Sequence, residues 1–286
     1  MGFYPQPNDW SCGPFALKHA LVALGRMVDE NDIARRAKTH WWSGTDEIGL
    51  ARAARAYGAE LELFRRRSAE RARRDLIAAL RERLPVLLCV DGWGHWITVL
   101  GCARDQFVIV DSNADPVLDI APWPRLRRRW VYRDTDYDPD DPPELYDGCI
   151  VRPTNRVPMR ATFSVARVRH LRHARNRDLA EHWDEYLGDL LAICRPRDQR
   201  MVAPLSMAEF LRRHGDLIVS RVVYWHGDVT TAHVSRLLRN FRFVAERYGL
   251  VIPNAVARRA IADLAILATM WAVATRGIGS LYGAGE

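Results

Sequence analysis

A chain of 286 residues, 48% hydrophobic and 27% charged, holds enough apolar material for one large or two ordinary globular domains. Its most apolar run, Leu264 to Thr275, falls short of the roughly 20 residues of a membrane span. Its start shows no charged-then-apolar leader, so a cytoplasmic protein is expected. The net charge is +7, and of 42 basic residues only Lys18 and Lys38 are lysines. The arginines are scattered and no nucleic-acid motif accompanies them, so a nucleic-acid partner is not expected.

In chain order, Pro14 suits the first turn of a helix, and Ala16, Leu17, Ala20, Leu21 and Leu24 follow with the spacing of one buried face. Gly25 is its expected stop. A second helix is expected over Asp29–His40. Trp41 to Thr45 reads as a loop, with Thr45 capping a third helix, Asp46–Tyr57, and Ile48 making contacts at its start. A strand at Leu61–Phe64 and a charged helix at Ser68–Arg83 follow. The pattern then turns to period two and to continuous apolar runs. Strands are expected at Pro85–Val90, His95–Leu100 and Gln106–Val110, with short ones at Val117–Ile120 and Trp130–Tyr132 and a closing strand at Tyr146–Arg152. Asp134–Glu144, acidic and rich in proline, is a surface loop. Helices followed by a mainly antiparallel sheet make an α+β domain over residues 1–152.

From residue 153 the character shifts. Arg156–Arg177 is basic without a clear pattern. Four helices are then expected, at Asp178–Ile193, Ser206–Tyr224, Thr230–Tyr248 and Asn254–Thr275, and Gly277–Glu286 reads as a frayed end. Residues 153–286 thus form an all-α domain or extension, a candidate surface for a partner protein.

Cys12 stands at the entrance of the first helix, where the positive end of the dipole favours a thiolate. The five cysteines are odd in number, widely spaced and without a CxxC pair, which points to free thiols and away from a metal site. No cofactor is expected. If Leu100 pairs with Gln106, His95 lies directly opposite Asp111 on one face of a hairpin. A carboxylate there would fix the imidazole, whose other nitrogen could deprotonate Cys12. Gln6, six residues before Cys12, could add a side-chain donor to the Cys12 backbone N–H as an oxyanion hole. Trp41, Trp42 and Gly44 in the loop, and Trp93 and Gly94 before His95, are the candidates for a substrate groove.

Together these residues resemble papain-like cysteine peptidases, and among them the bacteriocin-leader-processing type that cuts after double-glycine leaders. The resemblance rests on Gln6 ahead of Asp9-x-x-Cys12-Gly-Pro-x-Ala-Leu17, on Gly44-Thr45 with Leu50–Gly58, on Gly94-His95-Trp-Ile-Thr-Val-Leu-Gly101, and on Val110-Asp111-Ser112. It covers about residues 1 to 152. It implies a papain-like fold and cleavage of a peptide or isopeptide bond through an acyl-enzyme on Cys12, His95 and Asp111, with Gln6 at the oxyanion. Membrane helices and a P-loop are missing from the chain, so the resemblance is to the peptidase part alone. An acyl or peptidyl transferase on the same triad and a non-catalytic peptide-binding module are the alternatives.

Overall fold

The computed structural model describes residues 2–155, 159–227 and 229–276; the glycine-rich end expected to fray lies outside them. By internal contacts the chain divides into two compact units, Met1–Asp184 and Glu185–Glu286. The division falls later than the change of sequence character after residue 152.

The first unit is α+β. Helix α1 (Cys12–Ala23) ends at Gly25, whose φ of +73° is the left-handed conformation glycine adopts freely. Helix α2 (Glu30–Ala37) is capped by Asp29 and α3 (Glu47–Ala56) by Asp46. Asp46, not Thr45, caps α3. The carboxylate accepts from the Gly49 N–H at 2.7 Å, while the Thr45 hydroxyl pairs with that of Thr39. Ile48 points outward and is 64% exposed, so it makes no core contact at the start of α3. Strand β1 (Ala59–Arg66), helix α4 (Ala69–Arg81), and strands β2 (Val86–Val90), β3 (His95–Ala103), β4 (Gln106–Val110) and β5 (Leu118–Pro122) follow. The short strand expected at Trp130–Tyr132 is mostly a helix: α5 (Trp123–Trp130) opens with Pro124 in its first turn, and only Tyr132–Arg133 (β6) is extended. Strand β7 (Glu144–Pro153) closes the sheet.

The sheet is antiparallel throughout, in the order β1-β7-β2-β3-β4-β5, with β6 on β7. One face, with Leu87, Cys89, Trp96 and Val151, packs on Leu17, Leu21 and Leu50 of the N-terminal helices. The other, with Leu88, Val99, Phe107 and Ile109, packs on Leu76 and Leu80 of α4 and Leu126 and Trp130 of α5. The β3–β4 hairpin is tighter than expected. Ala103 pairs with Gln106, and a bulge at Leu100 changes the step before Val99 pairs with Ile109 and Thr98 with Val110. The unit ends in α6 (Val165–Arg172), a single 3₁₀ turn and α7 (Arg177–Glu181).

Helix α8 (Trp183–Ile193) runs across the division of the chain. The second unit holds α9 (Met207–Trp225), α10 (Thr231–Tyr248) and α11 (Ala257–Arg276), with Ser206 and Thr230 as caps. A three-stranded sheet of two- and three-residue pieces, β8 (Arg195–Pro196), β9 (Leu205–Ser206) and β10 (Leu250–Ile252), joins these helices. Among the described residues no helix is long and apolar enough to cross a membrane, and no group of three His, Cys, Asp or Glu could hold a metal ion.

Candidate active site

Cys12 is the first residue of α1. Ser11 at the cap makes no side-chain cap bond, so the backbone N–H groups of Cys12 and Gly13 keep the orientation of an open helix N-terminus. The helix is fixed to the sheet beneath it: the Thr98 hydroxyl, fully buried on β3, donates to the Ala16 carbonyl at 2.7 Å. His95 begins that same strand. One hydrogen bond thus ties the element carrying the thiol to the element carrying the imidazole.

His95 Nε2 and Asp111 Oδ1 are 2.8 Å apart, with the two residues 8% and 5% exposed. The Cys12 side chain is the ring's other charged-group neighbour, and Nδ1 is the ring nitrogen that Asp111 leaves free. Burial disfavours the imidazolium, but the bonds and charges of Asp111 and Cys12 outweigh it, and the His95 pKa is raised to about 9. Burial likewise opposes the Asp111 carboxylate. Bonds from His95, Arg129 and the Asn113 N–H outweigh it and hold the acid well below the ordinary carboxylate range. The pair therefore rests as imidazolium and carboxylate at neutral pH.

Sequence reasoning missed Arg129. Its Nη1 donates to Asp111 Oδ2 at 2.7 Å, and its Nη2 to Asp91 Oδ2 at 2.6 Å. Asp91 lies in the β2–β3 turn that leads to His95, and its backbone N–H donates to the Arg129 carbonyl at 2.7 Å. Arg129 sits near the C-terminal end of α5, the helix the alternation at Trp130 concealed. Only the long-range fold brings it to Asp111.

Gln6 is tied to the same corner. Its Oε1 accepts from the Ser112 hydroxyl at 2.6 Å and its backbone N–H donates to the Ser112 carbonyl at 2.8 Å. Its Nε2 donates to the Asn8 carbonyl at 2.7 Å, which leaves one amide N–H without a partner among the described residues. The other cysteines have different surroundings. Burial pushes the thiols of Cys89, Cys149 and Cys194 up to about 12.

The proposed groove residues separate. Trp41 and Trp42 are 70% and 66% exposed and meet edge-to-face, and Gly44 turns the loop with φ +66°. Gly94 ends the β2–β3 turn. Trp93, in the same turn, adopts φ +66°, a conformation rare for a bulky residue, and stacks on Tyr132 with centroids 3.7 Å apart. Of the five, Trp93 lines the unit's large cavity, which is taken up below.

No protein-family model matches the chain, and no curated protein matches it. Among solved structures it is similar to the peptidase domain of Streptococcus ComA, a bi-functional ABC transporter involved in a quorum-sensing pathway, at 17% identity. That match covers 53% of this chain and 98% of the other, with a TM-score of 0.37. It is also similar to a double glycine motif protease from an AMS/PCAT transporter, solved in complex with the leader peptide, at 15% identity over 52% of this chain and 89% of the other, TM-score 0.38. A third is the peptidase domain of Streptococcus mutans ComA, at 16% identity over 54% and 100%, TM-score 0.31.

Proposed function

We propose that the chain is a cysteine peptidase of the papain-like kind, acting through Cys12, His95 and Asp111. The observation that carries this reading is the buried imidazole of His95, 2.8 Å from Asp111 on Nε2 and within electrostatic reach of the Cys12 thiol at the helix N-terminus. An adjacent imidazolium and a helix N-terminus are the two features that make a cysteine nucleophilic. Cys12 attacks the carbonyl carbon of a peptide or isopeptide bond. The negative charge that develops on the carbonyl oxygen is met by the Cys12 N–H and the remaining amide N–H of Gln6. His95 passes its proton to the leaving amine, and the acyl-enzyme forms. His95, now neutral, takes a proton from water, the thioester is hydrolysed and the thiol is released. Asp111 holds the ring in one tautomer throughout.

Alkylation of the native protein by iodoacetamide at pH 7, read by peptide mass, tests the first step. Cys12 is expected to react at least about ten times faster than Cys89, Cys149 or Cys194, and Cys12→Ala to remove the fast phase. Equal rates at all cysteines would reject Cys12 as the nucleophile. Full-length Cys12→Ala used as a trap would then retain the peptide substrate uncut.

A further inference from the structure

The sheet and the loop before α3 line an open cavity of about 700 Å³. Phe64, Trp93 and Trp96 supply aromatic walls; Asp46, Glu47, Asp147 and Arg65 are its charged residues. Its rim is close to the thiol. Thr45 lines the cavity, and its Cβ stands 3.0 Å from where a side chain on Gly13 would begin. Cys89, also in the lining, senses the charge of Cys12.

The cavity already holds one guanidinium. Arg65 bonds both oxygens of Asp147 at 2.7 Å and lies over the Trp93 ring at 5.1 Å. Asp46 is engaged at the start of α3. Glu47 is different: it has no hydrogen bond or ion pair among the described residues, yet its charge reaches Arg65, Cys89 and Cys149 around the lining. Trp93 Nε1 is buried and has no hydrogen-bond partner among the described residues. Three carboxylates against one guanidinium leave the space net negative inside a protein of net charge +7. An apolar side chain would leave the negative charge of the lining unanswered, and an acidic one would be repelled. A planar cation on a long apolar stem satisfies the walls and the charge together, its stem against the aromatic lining and its charge against Glu47.

We propose that this cavity is a specificity pocket for a cationic side chain, arginine above all, in the segment presented to Cys12. The proposal rests on the peptidase reading of that thiol. It is tested without turnover, by calorimetric titration of full-length Cys12→Ala protein with acetyl-arginine methylamide and with acetyl-citrulline methylamide, a neutral near-isostere. The arginine ligand is expected to bind about ten-fold tighter, ~1.4 kcal/mol, and that margin to shrink to about two-fold in Cys12→Ala protein also carrying Glu47→Gln. Glu47 is exposed in the first turn of α3, so the fold tolerates the change. Equal affinities, undetectable arginine binding, or an unchanged margin with Glu47→Gln would overturn the proposal. The alkylation rate of wild-type Cys12, measured separately, shows whether it is the pocket or the peptidase reading that has failed.

Discussion

Asp111 has each oxygen bonded by a different base, His95 on Oδ1 and Arg129 on Oδ2. On the proposed reading Arg129 is a positioning residue that acts through Asp111. Its fork also grips Asp91 in the turn before His95, so it braces the acid and the approach to the ring at once. Arg129→Gln should slow iodoacetamide alkylation of Cys12 by about ten-fold, and Arg129→Lys should recover only part of the rate, because an ammonium lacks the planar fork. Loss of the nearby cation also raises the Asp111 pKa, so the acid limb of the rate profile should move to higher pH. A purely structural role would lower the melting temperature and leave that limb in place. The raised His95 pKa makes a second claim. A group held charged in the fold contributes stability that is full below its unfolded pKa, about 6.5, and lost as pH rises through its folded one, about 9. The melting-temperature margin of wild type over His95→Gln should therefore narrow steadily from pH 6.5 to 9. Cys12, His95 and Asp111 could be grouped from the sequence because each stands in a short local pattern, and the structure sets His95 beside Asp111. Arg129 was not, being one arginine in the run Arg125-Leu-Arg-Arg-Arg129 with nothing local to separate it from its neighbours.

The hairpin that carries the histidine was legible as two strands, but not in its register. Direct opposition of His95 and Asp111 was expected. Instead Thr98 pairs with Val110, which places Asp111 across from Ile97, two residues along from His95. A slip of two keeps both side chains on one face, where a slip of one would part them. The bulge at Leu100 decides this. Before it, Gly101 pairs with Val108; continued in step, Thr98 would meet Asp111, and His95 would point to the opposite face. Alternation of apolar residues hides a single inserted position, so no pattern in the sequence announces the bulge. Deleting Leu100 removes only the extra residue: Gly101 stays on Val108 and Val99 on Ile109, so the ring should keep its acid. Fast alkylation of Cys12 should then persist, with the far-ultraviolet circular dichroism near that of wild type. A folded deletion variant that loses fast alkylation would show that the strand beyond Leu100 does not hold this register without the bulge. Thr98 offers a milder test on the same strand. Thr98→Val removes the bond to the Ala16 carbonyl and leaves that buried acceptor with one partner fewer, a loss of about 1–2 kcal/mol on thermal unfolding.

For the whole molecule, the question is where the first compact unit ends. Sequence character changes after residue 152 because basic residues and helical patterns replace the strands, but composition does not report what the next segment covers. In the structure residues 159–184 close over the N-terminal segment. Phe3 meets Phe163 and Trp183 with ring centroids 5.5 and 5.8 Å apart, and the Ala161 N–H donates to the Ala23 carbonyl at the C-terminal end of the Cys12 helix. Lys18, 1% exposed in the middle of that helix, meets Glu30 at 3.0 Å and Asp184 at 3.9 Å. A chain cut at residue 153 would uncover Phe3 and the back of α1, at roughly 1.5–3 kcal/mol for each large side chain exposed, and would take one carboxylate from a buried cation. Those losses together rival the whole stability of an ordinary domain. A fragment of residues 1–184 should therefore melt cooperatively and keep fast Cys12 alkylation. One of residues 1–153 should show no cooperative melting at room temperature and above, and its thiols should react alike. Equal melting of the two fragments would place the boundary at 152, and the segment after it would then be an attachment and not part of the fold that holds Gln6 and Cys12 in place.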